Sequence, residues 1–211
     1  AAIRHWVLGA FPRAQSGSLD YDHPHGDPGW FGPDSATWRV HSDFPGMLAG
    51  GLAALTLQTL HPLALAGVWD HSNFRDDLVG RLRRTTAFVG GTTYAPRAQT
   101  EALIGHVRQI HTHIVGHAED GRPYAADDPA LLTWVHVTEA FCSLQGYRRY
   151  SHIALPEGAA DRYYDEVRGI AEALGARDVP ASEQAVDDYF QRVQPELAFT
   201  ERSSVVLDLL S

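Results

Sequence analysis

The chain has 211 residues, 44% of them hydrophobic, with 26 acidic and 17 basic side chains and one cysteine. That apolar content fills one sizeable core, and length favours a single domain over 1–211. The net charge of -9, with no basic run longer than Arg81-Leu82-Arg83-Arg84, excludes the positive face that nucleic acid or an anionic membrane would need. Cys142 alone excludes a disulfide framework and a cysteine-built metal site, and points to a reducing, cytoplasmic compartment.

The opening AAIRHWVLGAF has neither a long apolar core nor a clear cleavage site and is not expected to act as a secretory signal. Tyr21 to Pro33 is rich in Pro, Gly and His and reads as a loop. Asp34-Ser35 then cap a short helix through Trp38 and His41, and Ser42-Asp43 precede a second. This second helix runs from about Pro45 to Trp69, its small residues allowing close neighbours, with a kink or break after Leu60 where Pro62 intervenes. Phe44 to Trp69 carries no charge and is long enough to span a bilayer. Gln58, His61, Pro62 and the flanking acids argue instead for a buried central helix, with no membrane span expected.

A third helix is expected over about Asp76 to Val89, stopping at Gly90-Gly91. In it Arg81, Arg84, Thr85 and Phe88 share one face. That face is either a solvated basic surface paired with acids, or a rim that binds carboxylates such as haem propionates or polarises bound oxygen. Pro96 to Gly116 reads as an amphipathic helix striped by Leu103, Ile104, Val107, Ile110, Ile114 and Val115. His111 falls inside the stripe, whereas His106, His113 and His117 lie on the polar side. An imidazole turned to the core is hydrogen-bonded or coordinates something.

Asp128 to Tyr150 forms a fifth helix, with His136 and Glu139 one turn apart on one face. They are pocket residues held by hydrogen bonds, or ligands of non-haem iron, although the usual di-iron signature has this order reversed. His61 is a candidate ligand too, or relieves the carbonyls that Pro62 frees, and His71 marks a turn. Pro156 to Leu174, a helix capped by Ser182, and Leu197 to Leu210 complete an all-α chain with almost no strand signal. No nucleophile elbow, phosphate-binding loop, HExxH or dinucleotide fingerprint occurs. What remains is a helical pocket with inward histidines, and the cofactor most often held through one histidine is haem.

The order of the motifs then adds its own weight. GDPGWFGPDSATWRVHSD, LQTLHPLALAGVWDHSNF, GRLRRTTAFV, VRQIHTHIVG, GRPYAADDPALLTWVHVTEAF and YRRY, over about Gly26 to Gly175, resemble the rubber-oxygenase catalytic-domain family, which includes latex-clearing proteins. The resemblance implies a globin-like helical fold, haem b iron on one proximal histidine, and dioxygen chemistry on an apolar substrate, typically cleavage of a carbon-carbon double bond. The family's proximal histidine matches His111, and its arginine and threonine match Arg81 and Thr85. Arg84 occupies the family's lysine position, and a guanidinium gives iron no neutral lone pair, so the resemblance does not extend to a lysine-capped iron.

The expected function is a haem b-dependent oxygenase acting on a small apolar, terpenoid-like or olefinic molecule. His111 serves as axial ligand, Arg81 and Thr85 as catalytic groups, and Arg84, His61 and His136 as further contacts to the cofactor. Dioxygen and an apolar small molecule are the expected partners, with a homodimer as the candidate assembly. The alternatives are peroxide chemistry or a rearrangement on the same haem, a haem sensor or carrier, and a non-haem iron protein.

Overall fold

The structure, a computed structural model, describes residues 24–210; the opening segment and the start of the Pro/Gly/His loop lie outside them. Among the described residues are nine α-helices and a single two-stranded antiparallel hairpin, so the fold is all-α. Helix α1 (Ala36–His41) starts where the Ser35 hydroxyl accepts the Trp38 amide at 3.0 Å. Glu166 draws the same end inward, its carboxylate accepting the Thr37 amide at 2.8 Å and hydroxyl at 2.7 Å. Asp43 caps α2 (Phe44–Gln58), accepting from the Gly46 amide at 2.8 Å.

The long apolar run breaks after Gln58 and resumes at Pro62 as α3 (Pro62–His71), bent by 105° from α2. No single helix among the described residues is long and apolar enough to cross a membrane. Helix α4 (Leu78–Tyr94) runs through the glycines expected to stop it. The Thr92 and Thr93 hydroxyls bond back to the Phe88 and Val89 carbonyls at 3.0 and 2.7 Å, and the helix ends only where Pro96 holds Ala95 extended.

Helix α5 (Arg97–His111) ends a turn short of the expected Gly116. Beyond Thr112 the chain turns into strand β1 (Val115–His117), which pairs with β2 (Pro123–Ala125) in the register Gly116 opposite Tyr124. Ile114 and Val115 therefore leave the helical stripe. Helix α6 (Pro129–Tyr150) begins at the Asp128 cap, α7 (Ala159–Leu174) closes on Gly175 at φ 115°, and α8 (Glu183–Val193) begins at the Ser182 cap. The last helix, α9 (Glu201–Leu210), starts later than expected because a 3-10 turn at Gln194–Glu196 and extended Leu197 precede it; the Ala198 amide docks on the Leu60 carbonyl at 2.8 Å.

Helix α6 is the centre of the core, with Trp134 and Leu144 fully buried. Along α2 it is in backbone contact: a Cβ on Gly50 would stand 2.6 Å from the Cys142 carbonyl oxygen, and one on Gly146 would run into the Gly46 carbonyl. Helices α4 and α5 pack on α1, on α7 and on each other near their shared turn, where the Thr100 hydroxyl meets the Gly91 and Ala95 carbonyls. They barely touch α2 or α6. A gap therefore separates the α2–α6 pair from the α4–α5 hairpin.

Candidate functional site

Several apolar side chains of the elements around the gap are exposed. Ile110 on α5 is 46% exposed and Val115 on β1 57%, with Val79 on α4 and Val135 on α6 also exposed. At its edge lies an apolar cleft formed by Leu55 and Gln58 of α2, Leu65 and Val68 of α3, Val135 of α6, and Val206 and Leu210 of α9. Arg81 of α4 lines the same cleft, half-buried, with one guanidinium nitrogen on the Ser72 hydroxyl at 3.2 Å and no carboxylate partner among the described residues. Burial, then the charge of Arg84, lower its pKa. A cation held at an apolar cleft without a counter-ion is a group placed to receive a ligand atom.

The rest of the RxxRT face does not accompany it. Arg84 points outward, donating to Asn73 at 3.0 Å with Asp77 at 3.9 Å, and Thr85 is exposed with its hydroxyl bonded back to the Arg81 carbonyl at 3.3 Å.

His111 is the last residue of α5, half-buried, with Nδ1 buried and without a hydrogen-bond partner among the described residues. Burial lowers its pKa and the Asp127 carboxylate partly restores it. The neighbouring histidine has a different role: His113 Nδ1 sits 2.8 Å from the Gln109 carbonyl and helps finish the helix. His61 is also committed elsewhere. As N-cap of α3 it accepts the Ala64 amide on Nδ1 at 3.5 Å, with Nε2 3.6 Å from Glu196 and the ring against Trp134. It thus satisfies amides at the helix start, not the carbonyls that Pro62 was expected to free.

His136 and Glu139 share one face of α6, as their spacing predicts. Both retain some accessible surface, yet burial drives His136 down to about 4 and Glu139 up to about 7. Both side chains are therefore poorly solvated. Among the described residues no three His, Cys, Asp or Glu side chains group as a metal site.

Sequence reasoning missed His41, which joins Thr93 and Tyr163 behind His136 through hydrogen bonds of 2.7 and 3.0 Å. The partners come from α4 and α7, and no local pattern reports so long-range a pairing.

The family model described as ER-bound oxygenase mpaB/B'/rubber oxygenase, catalytic domain, matches residues 38–210. The chain belongs to this family. The match runs past Gly175, so α8 and the cleft wall supplied by α9 are part of the catalytic domain. No curated protein and no solved structure matches the chain. Family membership makes it an oxygenase, hence an oxidoreductase.

Proposed function

We propose that this oxygenase holds haem b through His111 and oxidises a small apolar, olefinic molecule with dioxygen. The observation that carries the reading is the buried Nδ1 of His111 at the end of α5, without a hydrogen-bond partner among the described residues and next to exposed Ile110. These residues fit the group: one imidazole, exposed apolar side chains and a guanidinium without a carboxylate partner among the described residues are what a tetrapyrrole with acidic side chains needs. When bound, haem would supply an iron able to bind and activate dioxygen.

The chain's own groups would do the rest. His111, its pKa lowered by burial, offers a neutral ring. Arg81 offers guanidinium donors to an anionic or carbonyl oxygen at the cleft. The apolar walls from α2, α3, α6 and α9 exclude water and select an apolar substrate. Thr85 acts on α4 geometry through its bond to the Arg81 carbonyl.

The purified protein is expected to show a Soret band and a b-type pyridine haemochrome at one haem per chain, lost in His111→Ala. Iron without a Soret band would move the reading to His136 and Glu139; a normal spectrum in His111→Ala would remove His111 as ligand. Turnover that consumes hydrogen peroxide instead of dioxygen would replace the oxygenase reaction by peroxide chemistry.

A further inference from the structure

Beside His136 and Glu139 of α6, His41, Thr93 and Tyr163 form a chain whose proton positions are fixed by its hydrogen bonds. The Thr93 hydroxyl donates to the Val89 carbonyl at 2.7 Å, so its oxygen meets His41 Nδ1, 2.7 Å away, as acceptor. Nδ1 therefore carries the hydrogen. Burial, then the nearby His136, lower the His41 pKa to about 4, so the ring is neutral and Nε2 is bare. The Tyr163 hydroxyl, 3.0 Å from Nε2, must then donate to it.

Tyr163 is 1% exposed, and its ring stands edge-on to His41 with centroids 5.6 Å apart. Burial first, then the charges of Glu139, Tyr164 and Cys142, push its pKa well above the ordinary phenol value, while a hydrogen bond from Ser143 lowers it. Simple ionisation is thus closed to this phenol. Loss of an electron is different, because an oxidised phenol is a strong acid and a bare imidazole nitrogen already receives its hydrogen. Glu139 and His136 lie one turn apart on α6, and their charges act on Tyr163 and His41, so the pair stands beside that face of the central helix.

We propose that Tyr163 is a one-electron donor to the oxygen-reacting gap, with His41 taking the phenolic proton as the electron leaves. The electron passes to a high-potential, metal-centred one-electron oxidant formed when dioxygen is reduced at the site. The O–H bond breaks and an N–H bond forms at Nε2, leaving a neutral tyrosyl radical and an imidazolium. No heavy atom needs to move, since Nδ1–H stays on Thr93 and the new Nε2–H donates to the tyrosyl oxygen. A one-electron reductant and the returning proton restore the phenol. Only the identity of the oxidant rests on the proposed haem function.

The test is flash oxidation of the full chain, as purified, by a photoexcited ruthenium tris-bipyridine complex with persulfate as electron sink, read by electron paramagnetic resonance. A slowly decaying radical is expected, assigned to tyrosine by ring deuteration, retained in Tyr164→Phe and lost in both Tyr163→Phe and His41→Gln. Persistence of the slow radical in Tyr163→Phe, or in a folded His41→Gln, overturns the proposal and leaves the chain a structural one. If His41→Gln does not fold, the wild-type protein decides: radical formation is slower in heavy water if the proton moves with the electron, and equal rates reject the coupling. Because the flash supplies the oxidant, this result stands apart from the haemochrome assay, and failure of one is not failure of the other.

Discussion

Along α2 and α6 the two backbones meet, because Gly46, Gly50 and Gly146 leave no side chain between them. Along α4 and α5 they do not: the hairpin is pinned at its turn by Thr100, and its far portion carries Arg81, exposed Val79 and exposed Ile110. The first pair is closed by contacts within the chain. The second leaves apolar surface exposed and one cation without a carboxylate partner among the described residues, as a region built to hold something else would. Under the proposed function the two helix pairs serve different ends, and substitutions in each should fail in different ways.

The largest effect is expected where the backbones touch. Gly146→Val inserts a branched side chain against the Gly46 carbonyl, and overpacking of this kind costs about 1–3 kcal/mol or more. Urea unfolding should show a large fall in midpoint, with catalysis per folded molecule little changed. A fully stable Gly146→Val would mean that α2 and α6 are not held at this distance.

The poorly solvated groups on and beside α6 should reveal themselves through pH. Glu139 has its pKa raised from 4.5 to about 7, so its contribution to stability is present below about 4.5 and is lost as pH rises through 7. His136 and His41 are lowered from 6.5 to about 4, so theirs is present above 6.5 and is lost as pH falls towards 4. Glu139→Gln should therefore stabilise the protein at pH 8, by about 1–3 kcal/mol after discounting for water in the gap, and much less at pH 5. Equal effects at both values would show that Glu139 faces bulk solvent.

These two predictions also mark how far the sequence can be read. The Asp128 cap, the Ser35 and Ser182 caps and the break near Pro62 are local signals, and the helices begin or break there. Gly90-Gly91 misled because threonine hydroxyls one turn on bond back to the preceding carbonyls and keep the helix closed. The end of α5 misled because the apolar stripe continues into β1, where pairing with β2 overrides the helical period. Periodicity put Arg81, Arg84 and Thr85 on one face, but which part of that face turns inward depends on how the hairpin leans on α1 and α7. The His41–Tyr163 pair spans 122 positions and could be found only in three dimensions.

Within α4, Arg81 and Thr85 should separate. Arg81→Ala removes the cation that lines the cleft and is expected to lower turnover at least about tenfold, roughly 1.4 kcal/mol of transition-state stabilisation, with the fold retained. Thr85→Val removes only an exposed hydroxyl bonded to a helix carbonyl and should lower turnover less. Steady-state kinetics on both variants checks the order, and full activity in Arg81→Ala would return the basic face to solvent.

The smallest effect belongs to Arg84, the position where the family pattern has lysine. Its guanidinium is 61% exposed and reaches Asn73 and Asp77 on the approach to α4, away from the apolar cleft lined by Arg81. Exposed ion pairs of this kind are worth about 1 kcal/mol or less. Arg84→Lys should therefore leave turnover unchanged and the melting temperature nearly so. A lysine at this place would still be directed by the same helix towards Asp77, so the ferric absorption spectrum should not change either. A shift of that spectrum to low spin would show that the side chain at position 84 swings inward and binds the metal, and the outward half of the α4 face would then belong to the site as well.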